Sequence, residues 1–158
     1  MRRVLGDRDG ADAMADPNSD GSPDGGPPHA DDVLVVEDDP QINELVGAYA
    51  QLAGFEYRRA LTGNAAIDEV TRRAPRVIIL DVMLPDLDGF EVCRRIKQRQ
   101  SDAGGRVPII FLTAMDSEAS RRKGMECGAD EYMTKPFDPD HLMASLERLG
   151  HPGSSRGK

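Results

Sequence analysis

Val77-Ile78-Ile79-Leu80-Asp81-Val82-Met83-Leu84-Pro85-Asp86-Leu87-Asp88-Gly89 is the stretch on which the fold turns. Its first four residues are apolar and mostly β-branched, which reads as a strand buried on both faces. Asp81 is the first charged residue after them and stands where that strand leaves the core. In open parallel α/β sheets ligands bind at the carboxyl edge of the strands, so Asp81 is placed as a nucleophile or a metal ligand.

Outward from this stretch, apolar runs alternate with helical periodicity. Residues 33–36 (Val-Leu-Val-Val) read as a second buried strand, and Ile42, Leu45, Val46, Tyr49 and Leu52 follow at helical spacing up to a cap at Gly54. Asp39 suits the N-cap of that helix and Pro40 its first turn. Residues 55–60 form a weaker strand, Thr62 caps a helix to about residue 73, and a helix over 89–100 carries Phe90, Val92, Cys93 and Ile96. Beyond it come a strand at 107–112, a helix at 117–127 closed by Gly128, a short strand at 131–133 and a last helix at 138–149. Five strands alternating with five helices predict an α/β fold with a parallel sheet covered on both faces, because right-handed crossovers impose that layering. The pattern does not give the strand order.

Composition narrows the function. A chain of 158 residues is long enough for one domain whose core needs neither disulfides nor a structural metal. Its net charge of −8 argues against direct nucleic-acid binding, which depends on clustered Lys and Arg. Cys93 and Cys127 stand in no metal-binding spacing and read as free thiols, as in a reducing cytosol. Behind Met1-Arg2-Arg3 there is no apolar run, so the expectation is a cytoplasmic protein with no membrane insertion. Residues 1–31 read as a disordered, acidic, Gly/Pro-rich extension, 32–149 as the folded domain and 150–158 as a flexible polar tail. The eight Asp and three Arg up to residue 32 hold −5 of the charge. His29, His141 and His151 lie in the tails or on the last helix without evident partners, and Arg121-Arg122-Lys123 reads as a solvated helix face that can serve a docking surface.

Every core strand but the weak second one ends in a group capable of chemistry: Glu37-Asp38-Asp39 after the first, Asp81 after the third, Thr113 after the fourth, Lys135-Pro136 after the fifth. A parallel sheet brings these ends to one rim. Carboxylates crowded there repel one another, and a hard divalent cation relieves that repulsion. Oxygen-only donors favour magnesium, or manganese, over zinc. With metal, hydroxyl and ammonium beside it, Asp81 can take a phosphoryl group as an aspartyl phosphate. Thr113 would donate to a phosphoryl oxygen, and Lys135 would pair first with Asp81 and then with the phosphoryl group. No Gly-rich nucleotide cradle is present, so the phosphate must come from another kind of donor.

The ordered set Glu37-Asp38, Asp81 with Pro85 and Asp88-Gly89, Thr113-Ala114, Gly128-Ala129-Asp130, Tyr132 and Lys135-Pro136-Phe137 resembles the receiver domain of bacterial two-component response regulators, of the single-domain, chemotaxis-regulator-like kind. The resemblance covers residues 33 to about 149. It implies the flavodoxin-like (βα)5 fold with strand order 2-1-3-4-5. It also implies that Asp81 accepts phosphate from a histidine kinase or histidine phosphotransferase, in a signalling switch rather than a turnover enzyme. Asp38, Asp81 and the backbone carbonyl of Met83 would hold magnesium directly, with Glu37 acting through water. Thr113 and Tyr132 would form the switch, and Lys135-Pro136 would be joined by a cis bond. Output would then run through contacts with a downstream protein target, without an output domain of its own, as a monomer or a phosphorylation-dependent dimer. Two other readings are a scaffold that never takes phosphate and a magnesium-dependent phosphatase with an Asp nucleophile. The first usually lacks an acidic or Lys position that is present here. The second usually carries DxDx[TV] where this chain has Glu37-Asp38-Asp39-Pro40.

Overall fold

The computed structural model describes residues 32–103 and 105–150. Strands β1 (Asp32–Val36), β2 (Glu56–Ala60), β3 (Val77–Leu80), β4 (Ile109–Thr113) and β5 (Glu131–Thr134) alternate with helices α1 (Pro40–Leu52), α2 (Gly63–Arg72), α3 (Gly89–Ala103), α4 (Glu118–Glu126) and α5 (Pro139–Gly150). All strand pairs are parallel, in the order β2-β1-β3-β4-β5. This is the flavodoxin-like fold, with the strand order that the resemblance implies. The extension at 1–31 and the residues from 151 onward, with His29 and His151, lie outside the described residues.

The sheet separates two cores. Along each strand successive side chains point to opposite faces. Val33, Val35, Val77, Ile79, Ile110 and Leu112 therefore meet Val46 and Ala50 of α1 and Leu142 and Leu146 of α5. On the other face Leu34, Ile78, Leu80, Ile109 and Phe111 meet Ala66 and Ile67 of α2 and Phe90, Val92 and Ile96 of α3. All four residues of β3 are buried, as a central parallel strand requires. Each such side chain contributes about 1.5–3 kcal/mol through burial. Edge strand β2 is instead charged and half-exposed. Its Arg58 donates to Glu69 Oε1 at 2.8 Å and to Asp32 Oδ2 at 3.3 Å, tying α2 to the amino edge of the sheet.

Three local readings are corrected. Strand β4 begins at Ile109 rather than 107, because the Val107 N–H goes to Gln100 Oε1 at 3.0 Å and Pro108 has no N–H to offer. It also runs on to Thr113, whose carbonyl accepts from Lys135 N at 2.8 Å. Helix α3 continues to Ala103, since no breaker occurs before Gly104 even though apolar spacing stops earlier. His141 does have a partner: its Nε2 lies 2.8 Å from Glu131 Oε2, and Arg148 holds the other carboxylate oxygen at 2.8 Å. Cys93 and Cys127 are free thiols, as expected. Among the described residues no helix is long and apolar enough to cross a membrane.

Candidate functional site

The carboxyl ends of β1 and β3 are joined by their backbones before any side chain is considered. Asp81 N–H donates to the Val36 carbonyl at 3.0 Å, and Glu37 N–H to the Ala60 carbonyl of β2 at 3.1 Å. Glu37 and Asp81 are each only 5 % exposed, whereas Asp38 is open to solvent. One oxygen from each of Glu37, Asp38 and Asp81 lies within 4.8 Å of the others. Lys135 reaches this group from the far side of the sheet. Its Nζ donates to Glu37 Oε1 at 2.5 Å and to Asp81 Oδ2 at 3.1 Å. The sequence pairs Lys135 with Asp81 alone, whereas here it bridges two carboxylates.

Three carboxylates and one ammonium leave a formal charge of about −2, the complement of one divalent cation. Burial raises the Glu37 carboxyl above its ordinary 4.5, the neighbouring Asp81 charge adds to this, and the bonds from Lys135 and the Asp39 N–H oppose it. Lys135 is pulled down by burial, yet its bonds to Glu37 and Asp81 hold it above its ordinary 10.5 overall. The donor set is made wholly of oxygen, which fits a hard cation such as magnesium.

The segment after Asp81 is shaped to present that residue. Met83 N–H donates to Asp81 Oδ1 at 3.2 Å, fixing one carboxylate oxygen while Lys135 fixes the other. Asp88 Oδ1 accepts from Glu91 N–H at 2.9 Å and caps α3. Gly89 is required by close approach, since a Cβ there would lie 2.3 Å from the Asp81 carbonyl oxygen. Asp86, whose role is not legible in the sequence, accepts from the N–H groups of Gly63 and Asn64, both at 2.8 Å, and so ties the loop to the start of α2. Nothing in the local sequence near Asp86 points to a partner 23 residues back. Asp39 caps α1, accepting from Gln41 N–H at 2.9 Å and Ile42 N–H at 3.3 Å.

Thr113 and Tyr132 meet through one intervening residue. Met115 N–H donates to Thr113 Oγ1 at 3.3 Å, and Tyr132 Oη–H donates to the Met115 carbonyl at 2.7 Å. Thr113 is fully buried and Tyr132 is 8 % exposed, its ring 5.7 Å from that of Phe111. The basic stretch on α4 is not simply solvated. The Arg121 guanidinium sits 5.4 Å from the Tyr132 ring centre, and Lys123 Nζ sits 4.9 Å from that of Phe90. Beside the carboxylates opens a groove of about 540 Å³, whose lining includes Asp38, Met83, Pro85, Phe90, Met115 and Lys123. A cavity of the same volume between α2 and α3 is lined by Ile67, Ile96 and Arg99 and contains no carboxylate cluster. Lys135-Pro136 is cis, as the resemblance implies.

Residues 33–147 match the model of the response regulator receiver domain. The transcriptional regulatory protein GltR of Pseudomonas aeruginosa is 44 % identical over 117 residues, covering 74 % of this chain and 48 % of that protein. The receiver domain of the Francisella response regulator 1452 superposes with a TM-score of 0.71 at 29 % identity, covering 82 % of this chain and all of that one. The co-crystal structure of the Saccharomyces cerevisiae histidine phosphotransfer protein Ypd1 with the receiver domain of its downstream response regulator Ssk1 gives 0.72 at 26 % identity, over 80 % of this chain and 92 % of the matched chain. The chain spans about half the length of the curated relatives it matches. The chain belongs to the receiver domains of two-component response regulators.

Proposed function

We propose that residues 32–149 form a phosphorylation switch in which Asp81 is the phosphoacceptor. The observation that carries this reading is the bridge made by Lys135, which holds Asp81 between an ammonium and a cluster of oxygen donors. A carboxylate oxygen of Asp81 forms the new bond to phosphorus as the bond to a histidine imidazole nitrogen breaks and that nitrogen keeps the electron pair. Asp38, Asp81 and the Met83 carbonyl would hold magnesium, with Glu37 acting through water. When bound, the ion neutralises charge on the transferring oxygens. Lys135 moves from Asp81 to the phosphoryl group, and Thr113 turns its hydroxyl from Met115 toward the same oxygens. Because Tyr132 is hydrogen-bonded to Met115, a shift of Thr113 is passed to the ring and to the surface of β5 and α4.

A histidine kinase or histidine phosphotransferase is the donor this reading requires, and Ssk1 is a receiver domain crystallised with such a phosphotransfer protein. The output surface is assigned to α4, β5 and α5, where Arg121 and Lys123 extend over aromatic rings and remain available to an acidic partner. The place of action is the cytoplasm, and the domain acts through a downstream protein as a monomer or a phosphorylation-dependent dimer, not by turnover. Incubation with magnesium and acetyl phosphate tests the reading by intact-mass spectrometry. One phosphoryl adduct that Asp81→Asn abolishes is expected. No adduct from any small donor or kinase favours a scaffold, and sustained release of phosphate from esters favours a phosphatase.

A further inference from the structure

We propose that Asn43 is a positioning residue for the acidic pair Glu37-Asp38 and that the Tyr57 hydroxyl sets its orientation. This rests on the reading of that pair as part of a magnesium site. Asn43 lies on α1, outside the acidic cluster, and its side chain is fully buried. Its Nδ2 donates to three backbone carbonyls: Val35 at 3.1 Å, Glu37 at 3.0 Å and Ala60 at 3.2 Å. These are the carboxyl ends of β1 and β2, so one amide pins the segment from which both acidic side chains spring. An amide nitrogen has two hydrogens, and three acceptors oblige at least one to be shared.

Tyr57 completes the arrangement from edge strand β2, where it stands in register with Val33. Its hydroxyl donates to Asn43 Oδ1. Carbonyl oxygens only accept, so the NH₂ end of the amide must face the three carbonyls and the oxygen must face the phenol. The Tyr57 ring reaches across α1 at Gly47, where a Cβ would come within 2.5 Å of it. Small residue, phenol and amide thus form one unit, tied through Val35 and Glu37 to the backbone that carries Glu37 and Asp38 and through Ala60 to the end of β2. Groups that orient ligands without touching the metal typically change its affinity by about 10- to 100-fold when removed.

Magnesium affinity measured by isothermal titration calorimetry on the full chain tests this, with thermal unfolding recorded in parallel. Asn43→Ala should weaken the dissociation constant by about tenfold or more. Tyr57→Phe, which keeps the ring over Gly47 and removes the hydroxyl that donates to Oδ1 and interacts with Arg59, should weaken it in the same direction by a smaller factor. Leu146→Ala, which opens the core under α5 away from the acidic end, should lower the unfolding temperature and leave the magnesium constant unchanged. Constants within about twofold of wild type in both site variants overturn the inference, and so does an equal loss in Leu146→Ala. If Asn43→Ala does not fold, Tyr57→Phe decides alone. A wild-type protein that takes up no magnesium overturns both this inference and the reading beneath it, whereas wild-type binding with unaltered variants overturns this inference only.

Discussion

Glu37 shows how burial and charge compete at a single side chain. Its carboxyl is raised above 4.5 mainly because burial penalises the anion. A folded-state value above the unfolded one means that the native protein holds the proton more tightly. The stability this contributes is fully present below pH 4.5 and is lost as pH rises through the raised value. Glu37→Gln should therefore flatten the metal-free dependence of the urea midpoint on pH between that ordinary value and neutrality, and an unchanged slope contradicts the assignment. Met83 and Met115 face a different question, that of water. Met83 is 59 % exposed and both side chains line the groove beside Asp81. Apolar groups there hinder a hydrolytic water, so the aspartyl phosphate should outlive that of a Met83→Asn, Met115→Glu double variant. A shorter half-life in the wild type contradicts this.

Among the elements, the loop from β3 into α3 does the most positioning, and its residues differ in how far they could be read in advance. The helix start at Gly89 was legible from the apolar spacing that follows it, whereas Pro85 and Asp88 entered only as part of the resemblance and the capping role of Asp88 came from the structure. Why glycine is needed was not visible, since the obstacle is the Asp81 carbonyl that folds back over it. Gly89→Ala should lower stability by about 1–3 kcal/mol through overpacking and weaken magnesium binding together with it. Denaturant midpoints and calorimetry check both, and a variant equal to wild type in each contradicts the close approach. Strands β1 and β3 were legible almost to the residue because an apolar run buried on both faces has sharp ends. The start of β4 was not, since its limit is set by the side chain of Gln100 on another element.

Across the whole molecule, one parallel sheet carries its strand ends to a common rim, and the residues that follow β1, β3 and β5 meet there in one cluster. Glu37, Asp38, Asp81 and Lys135 were legible as such because carboxylates and a lysine directly after buried strands have few structural uses. The residues that hold them, Asn43 and Asp86, were not, because their partners are backbone groups brought near only by the fold. The Glu131 contacts with His141 and Arg148 were not legible either, because they join side chains of β5 and α5 that only the fold brings together. The central claim is that this convergence makes Asp81, and no other carboxylate on the rim, the place where phosphate is written. Borohydride reduction of the phosphorylated protein, followed by peptide mass mapping, tests it directly, because an acyl phosphate is reduced and a free carboxylate is not. Conversion of Asp81 alone to homoserine is the result expected; conversion at Glu37, Asp38 or any other residue, or at none, contradicts the account.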